Sequence, residues 1–123
     1  MTTTKSRTWS LQEAREVAES LITLLRPACE RIEIAGSVRR QRPQVGDVEL
    51  LVVPKTPTQP PSLWLERLPL DARILELMTE QILGYRLNTN GSRMYGPKNK
   101  MLVHCPSGIG VDLFSTTPEY WGM

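Results

Sequence analysis

The chain has 123 residues and a net charge of +2 at neutral pH, with 40% hydrophobic and 23% charged residues. This balance is typical of a soluble domain and excludes an intrinsically disordered chain. No apolar run approaches the roughly 20 residues of a membrane-spanning helix, and Met1 to Lys5 lack the apolar stretch of a secretion signal. Cys29 and Cys105 form no CxxC pair or Cys/His cluster, which excludes a disulfide scaffold and a structural zinc site. We expect a cytoplasmic protein without membrane contact, in which one domain spans residues 10–123 after a tail at 1–9.

The N-terminal part of the chain predicts a helix followed by a short strand. Ser10 to Glu13 has the capping-box pattern, in which the Ser hydroxyl and the Glu carboxylate bind free backbone N–H groups. Apolar residues then recur at spacings of three and four, which is typical of an amphipathic helix, and Pro27 ends it. Polar and apolar residues alternate from Arg31 to Ala35, which indicates a half-buried strand. Gly36-Ser37 breaks this strand, and residues 38–42 are predicted to form a short helical turn.

The rest of the chain predicts further strands and helices. The β-branched run from Asp47 to Val53 indicates a strand that Pro54 closes, and residues 54–61 contain four prolines, which predicts a loop. The other predicted elements are helices at 63–68 and 71–83 (the second with Asp71 as its N-cap), a hairpin around Asn90-Gly91 that joins 85–87 to 93–95, and strands at 100–104 and 111–114. This order predicts an α+β fold with a mixed, largely antiparallel sheet against which the helices pack.

Two acids stand at the start of the apolar strand. Asp47 and Glu49 are two positions apart, so both carboxylates leave the same face of the strand. Clustered carboxylate oxygens suit hard divalent cations, and two ions about 3.5–4 Å apart can hold the reacting oxygens of a phosphoryl transfer. A DxE pair alone is more often a solvated strand face. Here the strand is otherwise apolar, so unneutralised acids are costly, and Gly46 directly before them allows a ligand to approach closely.

Gly36-Ser37 lies at a strand end and is followed by arginines at positions 39, 40 and 42. Free N–H groups and the Ser hydroxyl at such a step attract anions, and the forked guanidinium matches phosphate oxygens. A Gly-Ser step alone is common in turns. The DxE pair ten residues later makes the combination specific.

The segment from Ala35 to Arg40 and the segment from Val45 to Val52 together resemble the signature of the nucleotidyltransferase superfamily. The paired arginines and the Gly-Asp-x-acid strand resemble family X DNA polymerases more narrowly, the group of DNA polymerase beta. That family has a third acid on a later strand, where Val111 to Phe114 fits with Asp112, and Thr117 to Gly122 is also similar to the family. The resemblance covers roughly residues 10–123 and is looser between 54 and 100.

The resemblance implies a two-metal nucleotidyltransferase palm that transfers deoxynucleotides from dNTP to the 3′-hydroxyl of a DNA primer–template. Asp47, Glu49 and Asp112 would hold two Mg²⁺ ions, for which Mn²⁺ could substitute, and Asp112 would lie near the attacking hydroxyl. The residues that would hold the triphosphate are Gly36, Ser37, Arg40 and Gly46. A basic stretch without acids, which contains Arg93, Lys98 and Lys100, is a candidate nucleic-acid contact or else an ordinary exposed hairpin.

The chain also departs from the family. Glu49 stands where an aspartate is frequent, and Gly110 stands where some members carry an arginine two positions before the third acid. We expect no helix-hairpin-helix or lyase domain before residue 10, and no thumb after Met123, so another domain or partner could supply the thumb. Two alternatives stay open. The chain could be a minimal nucleotidyltransferase that adenylates a protein, an RNA or a small molecule, or a non-catalytic palm fragment.

Overall fold

The computed structural model describes residues 8–55, 69–87, 90–92, 94–96 and 98–117. The elements within these ranges are, in chain order, β1 (Trp9–Ser10), α1 (Leu11–Leu25), β2 (Cys29–Ala35), α2 (Gly36–Arg39), β3 (Gln44–Val45), β4 (Asp47–Pro54), α3 (Pro69–Thr79), β5 (Leu83–Tyr85), β6 (Asn99–His104) and β7 (Ile109–Ser115). None of the described helices is long and apolar enough to cross a membrane. The predicted helix at 63–68 and most of the predicted proline-rich loop lie outside the described residues.

The first helix begins where its sequence predicts. Ser10 Oγ accepts a hydrogen bond of 3.1 Å from the backbone N–H of Glu13, and the backbone N–H of Ser10 donates one of 3.0 Å to Glu13 Oε1. This reciprocal pair is the predicted capping box, which is therefore confirmed. After Leu25 the helix gives way to a single 3₁₀ turn that contains Pro27. The buried face of α1 consists of Ala14, Val17, Ala18, Leu21 and Leu25.

The bounds predicted for α3 are wrong at both ends. The helix begins at Pro69, whose missing N–H costs nothing in a first turn, so Asp71 lies inside that turn rather than at the N-cap. It ends at Thr79, because Gln81 adopts a left-handed φ of +64°. The two backbone hydrogen bonds of a Schellman motif close the helix, from Gln81 N–H to Met78 O at 3.0 Å and from Ile82 N–H to Leu77 O at 2.9 Å. Leu83 therefore belongs to β5.

Five strands form one sheet in the order β2–β4–β7–β6–β5. Neighbouring strands are antiparallel, except that β4 and β7 pair in parallel at the centre. The prediction of a mixed, largely antiparallel sheet with packed helices is thus confirmed. A separate two-stranded ribbon joins β1 to β3, where Trp9 pairs with Val45 although the sequence predicts a tail up to residue 9.

The strand β5 pairs with β6, with Tyr85 opposite Leu102. Tyr95, in the second arm of the predicted hairpin, forms an isolated bridge with Lys100. Residues 88, 89 and 93 of that hairpin lie outside the described residues, so the hairpin itself stays a prediction.

One face of the central strands forms the core with the helices. Val48, Leu50 and Val52 alternate along β4 and are completely buried, as are Val111 and Leu113 of β7. Leu21 of α1 and Ile74 of α3 belong to the same apolar cluster. Because strand residues alternate between faces, the polar residues between these apolar ones lie on the opposite face. That face carries the candidate site.

Candidate functional site

The parallel pairing of β4 and β7 brings the three predicted acids onto one face. Glu49 lies opposite Asp112 and Asp47 lies opposite Gly110 in the register of the two strands. Directly opposed residues share a face, so Asp47, Glu49 and Asp112 all lie on the face away from the core. Their exposure differs, because the side chain of Asp47 is 44% exposed and that of Asp112 only 14%.

Asp112 is the acid that its surroundings perturb most clearly. Its Oδ1 is buried and has no hydrogen-bond partner among the described residues. Burial raises the pKa of Asp112, the Arg86 guanidinium lowers it in part, and the negative charges of Asp47 and Glu49 raise it again. A buried carboxylate with an oxygen that lacks a hydrogen bond and with like-charged neighbours is typical of a site that binds a cation or a proton.

Arg86 also belongs to this acidic site, although the sequence analysis did not single it out. Its Nη1 donates a hydrogen bond of 3.1 Å to Asp47 Oδ1, and its Nη2 lies 3.7 Å from Asp112 Oδ1. The residue follows β5 directly, so its side chain reaches over β6 to the central strands. The signal that could have found it is Gly110, because a glycine inside a strand often marks the close approach of another group.

The carboxylates of the site suit a hard divalent cation in their chemistry and their shared face. The unpartnered Oδ1 of Asp112 supports this fit. Among the described residues, however, no three Asp, Glu, His or Cys side chains are close enough together to hold a metal ion. The reason is visible in the side chains: Arg86 bridges Asp47 and Asp112, while Glu49 points towards Gly36. The carboxylate oxygens are ligands of the kind that Mg²⁺ prefers, and the Arg86 guanidinium lies between two of them.

The predicted phosphate-binding residues of the segment around α2 differ in their position relative to the acids. Gly36 opens α2 with a φ of +66°, and a Cβ there would lie 1.7 Å from Glu49 Oε1. Gly36 therefore lies next to Glu49, and buried Val38 anchors the turn that also contains Ser37 in the core. Arg40 follows α2 and is exposed. Its backbone N–H donates to the carbonyl of Gly36 at 3.1 Å.

A groove of about 440 Å³ opens beside the acids. Its lining includes Asp47 and Arg86 together with Trp9, Gly46 and Gly110. A Cβ at Gly46 would have no heavy atom within 4 Å, so this glycine borders open space. The groove therefore gives a ligand access to Asp47 past Gly46, which adds no side chain to its wall.

Lys98 and Lys100, two of the predicted nucleic-acid contacts, have different surroundings. Lys98 is exposed, whereas Lys100 is buried on the core face, opposite Leu113. Lys100 Nζ donates to the carbonyl of Gly96 at 2.7 Å and lies 3.7 Å from Asp71 Oδ1. The prediction that Lys100 contacts nucleic acid is therefore wrong, because its charge is bound inside the protein. Arg93 lies outside the described residues.

The fold is similar to that of two solved structures of Leishmania infantum polymerase beta. One is a ternary P/T complex, which matches with a TM-score of 0.56 and 21% sequence identity over 90% of this chain and 44% of the polymerase chain. The other is a ternary gap complex, with a TM-score of 0.57 and 21% identity over 90% of this chain and 39% of the other. This chain thus spans about two fifths of the polymerases' length. No family model and no curated protein matches the sequence.

The sheet order and these similarities show that the chain has a polymerase beta-like fold.

Proposed function

We propose that this chain is a two-metal nucleotidyltransferase of the DNA polymerase type, which adds deoxynucleotides from dNTP to a DNA 3′-hydroxyl. The observation that carries the proposal is the register of β4 and β7, which puts Asp47, Glu49 and Asp112 on one face beside Gly36. The similar structures support the choice of substrate, because both are ternary complexes of a polymerase beta, one a P/T complex and one a gap complex.

Each group has a distinct part in this proposal. Asp47, Glu49 and Asp112 would hold Mg²⁺ ions, which when bound neutralise triphosphate charge and lower the pKa of the attacking hydroxyl. Asp112 would also lie near the primer hydroxyl and accept its proton with the carboxylate oxygen that holds no ion. The free N–H groups and the hydroxyl of Gly36-Ser37 bind the triphosphate.

Arg40 adds positive charge at the exposed end of α2, and Gly46 leaves room for the nucleotide beside the acids. Catalysis would then consist of positioning and charge neutralisation.

DNA binding by this chain would depend on backbone phosphates. Lys98 is exposed and is available for this contact. Contacts of this kind give affinity that is independent of sequence and falls steeply with salt concentration.

Primer extension tests the proposal. A labelled primer–template with dNTPs and either Mg²⁺ or Mn²⁺ should be extended by the wild-type chain. Asp47→Asn should reduce extension below detection, because the neutral amide loses most of its affinity for the ion. The matched control is Glu33→Gln, which removes an exposed acid of the edge strand β2. Extension should persist in this control.

The alternative outcomes separate the competing functions. Transfer of labelled nucleotide to a protein, an RNA or a small molecule, without primer extension, would replace the proposal with the adenylating alternative. Absence of any transfer by a folded chain would identify a non-catalytic palm. Equal extension by Asp47→Asn and wild type would refute the assignment of the site.

A further inference from the structure

The guanidinium of Arg86 occupies the space between the two aspartates of the site. Nη1 is hydrogen-bonded to Asp47 Oδ1 at 3.1 Å, and Nη2 faces the otherwise unpartnered Asp112 Oδ1 at 3.7 Å. The backbone of Arg86 is fixed by a hydrogen bond of 3.2 Å from its N–H to the carbonyl of Met101. The side chain is 27% exposed, so the cation is shielded on most sides but has a way out to solvent.

The guanidinium of Arg86 lies directly against Gly110. A Cβ at position 110 would lie 2.2 Å from Arg86 Nη1 and 3.3 Å from its Cζ, and also 2.5 Å from Asp47 Oδ1. Any side chain at this position would push the guanidinium away. The Arg86 guanidinium can therefore occupy this position only because residue 110 on β7 is a glycine.

The two aspartate oxygens that contact Arg86 are the atoms that a divalent cation would need. Magnesium binds oxygen ligands at 2.0–2.1 Å, which leaves no room for a guanidinium nitrogen in contact with the same oxygens. The cation and Arg86 consequently compete for Asp47 Oδ1 and Asp112 Oδ1. Without either of them, the two carboxylates and Glu49 would repel one another across the β4–β7 pair.

We propose that Arg86 is a positioning residue, the resident counter-cation of Asp47 and Asp112, which a divalent ion displaces when it binds. The inference rests on the proposed function only in taking this face as the metal site. Metal affinity then depends on how much more strongly the two aspartates bind the divalent ion than they bind the Arg86 guanidinium. Removal of the guanidinium should therefore strengthen metal binding while it weakens the metal-free fold.

Direct binding of Mn²⁺ to the full chain, without nucleotide or DNA, tests the inference by electron paramagnetic resonance. Arg86→Gln should bind Mn²⁺ about tenfold more tightly than wild type, since one competing unit charge is removed. Arg86→Lys should stay close to wild type, because it keeps the charge without the fork. Arg31→Gln is the matched control, because it removes an exposed arginine that pairs with Glu33 at 3.5 Å. Its affinity should be unchanged.

Thermal unfolding supplies the second readout. Arg86→Gln should melt below wild type without metal and should gain more from added Mn²⁺, since tighter binding to the folded state adds more stability. If Arg86→Gln does not fold, Arg86→Met keeps an apolar side chain of similar length without the charge and should tighten Mn²⁺ binding in the same direction. Mn²⁺ affinity equal to or weaker than wild type in the folded variant that removes the Arg86 charge, or no Mn²⁺ binding in any variant, would overturn the inference.

The two proposals fail separately. Tighter Mn²⁺ binding by Arg86→Gln in a chain that extends no primer would uphold the role of Arg86 and refute the polymerase function. Primer extension by a chain whose Mn²⁺ affinity is the same with and without the Arg86 guanidinium would support the polymerase function and refute the role of Arg86.

Discussion

Replacement of Gly36 by alanine probes the corner where β2 turns into α2. Gly36 has a φ of +66°, and a left-handed conformation costs an L-residue about 1–2 kcal/mol. The added Cβ would also lie 1.7 Å from Glu49 Oε1, so the carboxylate must swing away. That movement adds little, because Glu49 has a long side chain that is only partly buried. We expect Gly36→Ala to lower the free energy of unfolding by about 1–2 kcal/mol.

Urea unfolding followed by far-UV circular dichroism measures this loss, provided that the slope of the transition is unchanged. The corresponding fall in melting temperature is about 3–10 °C for a chain of this size. Gly46→Ala is the matched control, because a Cβ there meets no atom within 4 Å and its φ is not positive. Its stability should stay within about 0.5 kcal/mol of wild type. If Gly36→Ala were as stable as Gly46→Ala, the left-handed turn would not be a constraint and the reasoning would be refuted.

Two further substitutions test the site and the fold. Burial raises the pKa of Asp112 above 3.8, so the folded chain binds its proton more tightly, and the associated stability is lost as pH rises through the raised pKa. Asp112→Asn should therefore raise the free energy of unfolding of the metal-free protein at pH 7. The free energy of unfolding should also depend less on pH above 3.8 than in wild type. Equal or lower stability of the variant in urea titrations at pH 7 would contradict this. Ser10→Ala removes the capping box of α1 and should cost about 1 kcal/mol in urea unfolding, whereas Ser20→Ala in the middle of α1 should not; equal effects would show that the cap does not stabilise the helix.

Local signals predicted α1, β4 and the shared face of Asp47 and Glu49. Each depends on residues within one turn or one strand, such as the reciprocal cap of Ser10 and Glu13. The end of α3 was missed because a left-handed Gln81 has no sequence signal comparable to glycine. Lys100 was misjudged although the pattern was available, because in a strand it shares a face with buried Leu102.

The role of Arg86 could not be predicted from residues close to it in the sequence. Its contact with Asp47 joins residues 39 positions apart, and it depends on the sheet order that puts β6 and β7 between them. Only the absence of a side chain at Gly110 hinted that another group lies there. A contact of this kind follows from topology and not from spacing.

The parallel pair at the centre of the sheet also has a consequence for how the chain folds. The strands β2 and β4 form one antiparallel unit and β5, β6 and β7 form another, and the β4–β7 pair is the seam between them within the described sheet. Asp47 and Glu49 come from one unit, while Asp112 and Arg86 come from the other. Each unit has low contact order on its own, whereas the seam closes a loop of more than fifty residues and should form late. During synthesis on the ribosome, the inner edge of β4 therefore stays unpaired until Ser115 has emerged, which makes it the segment most exposed to mispairing with another chain.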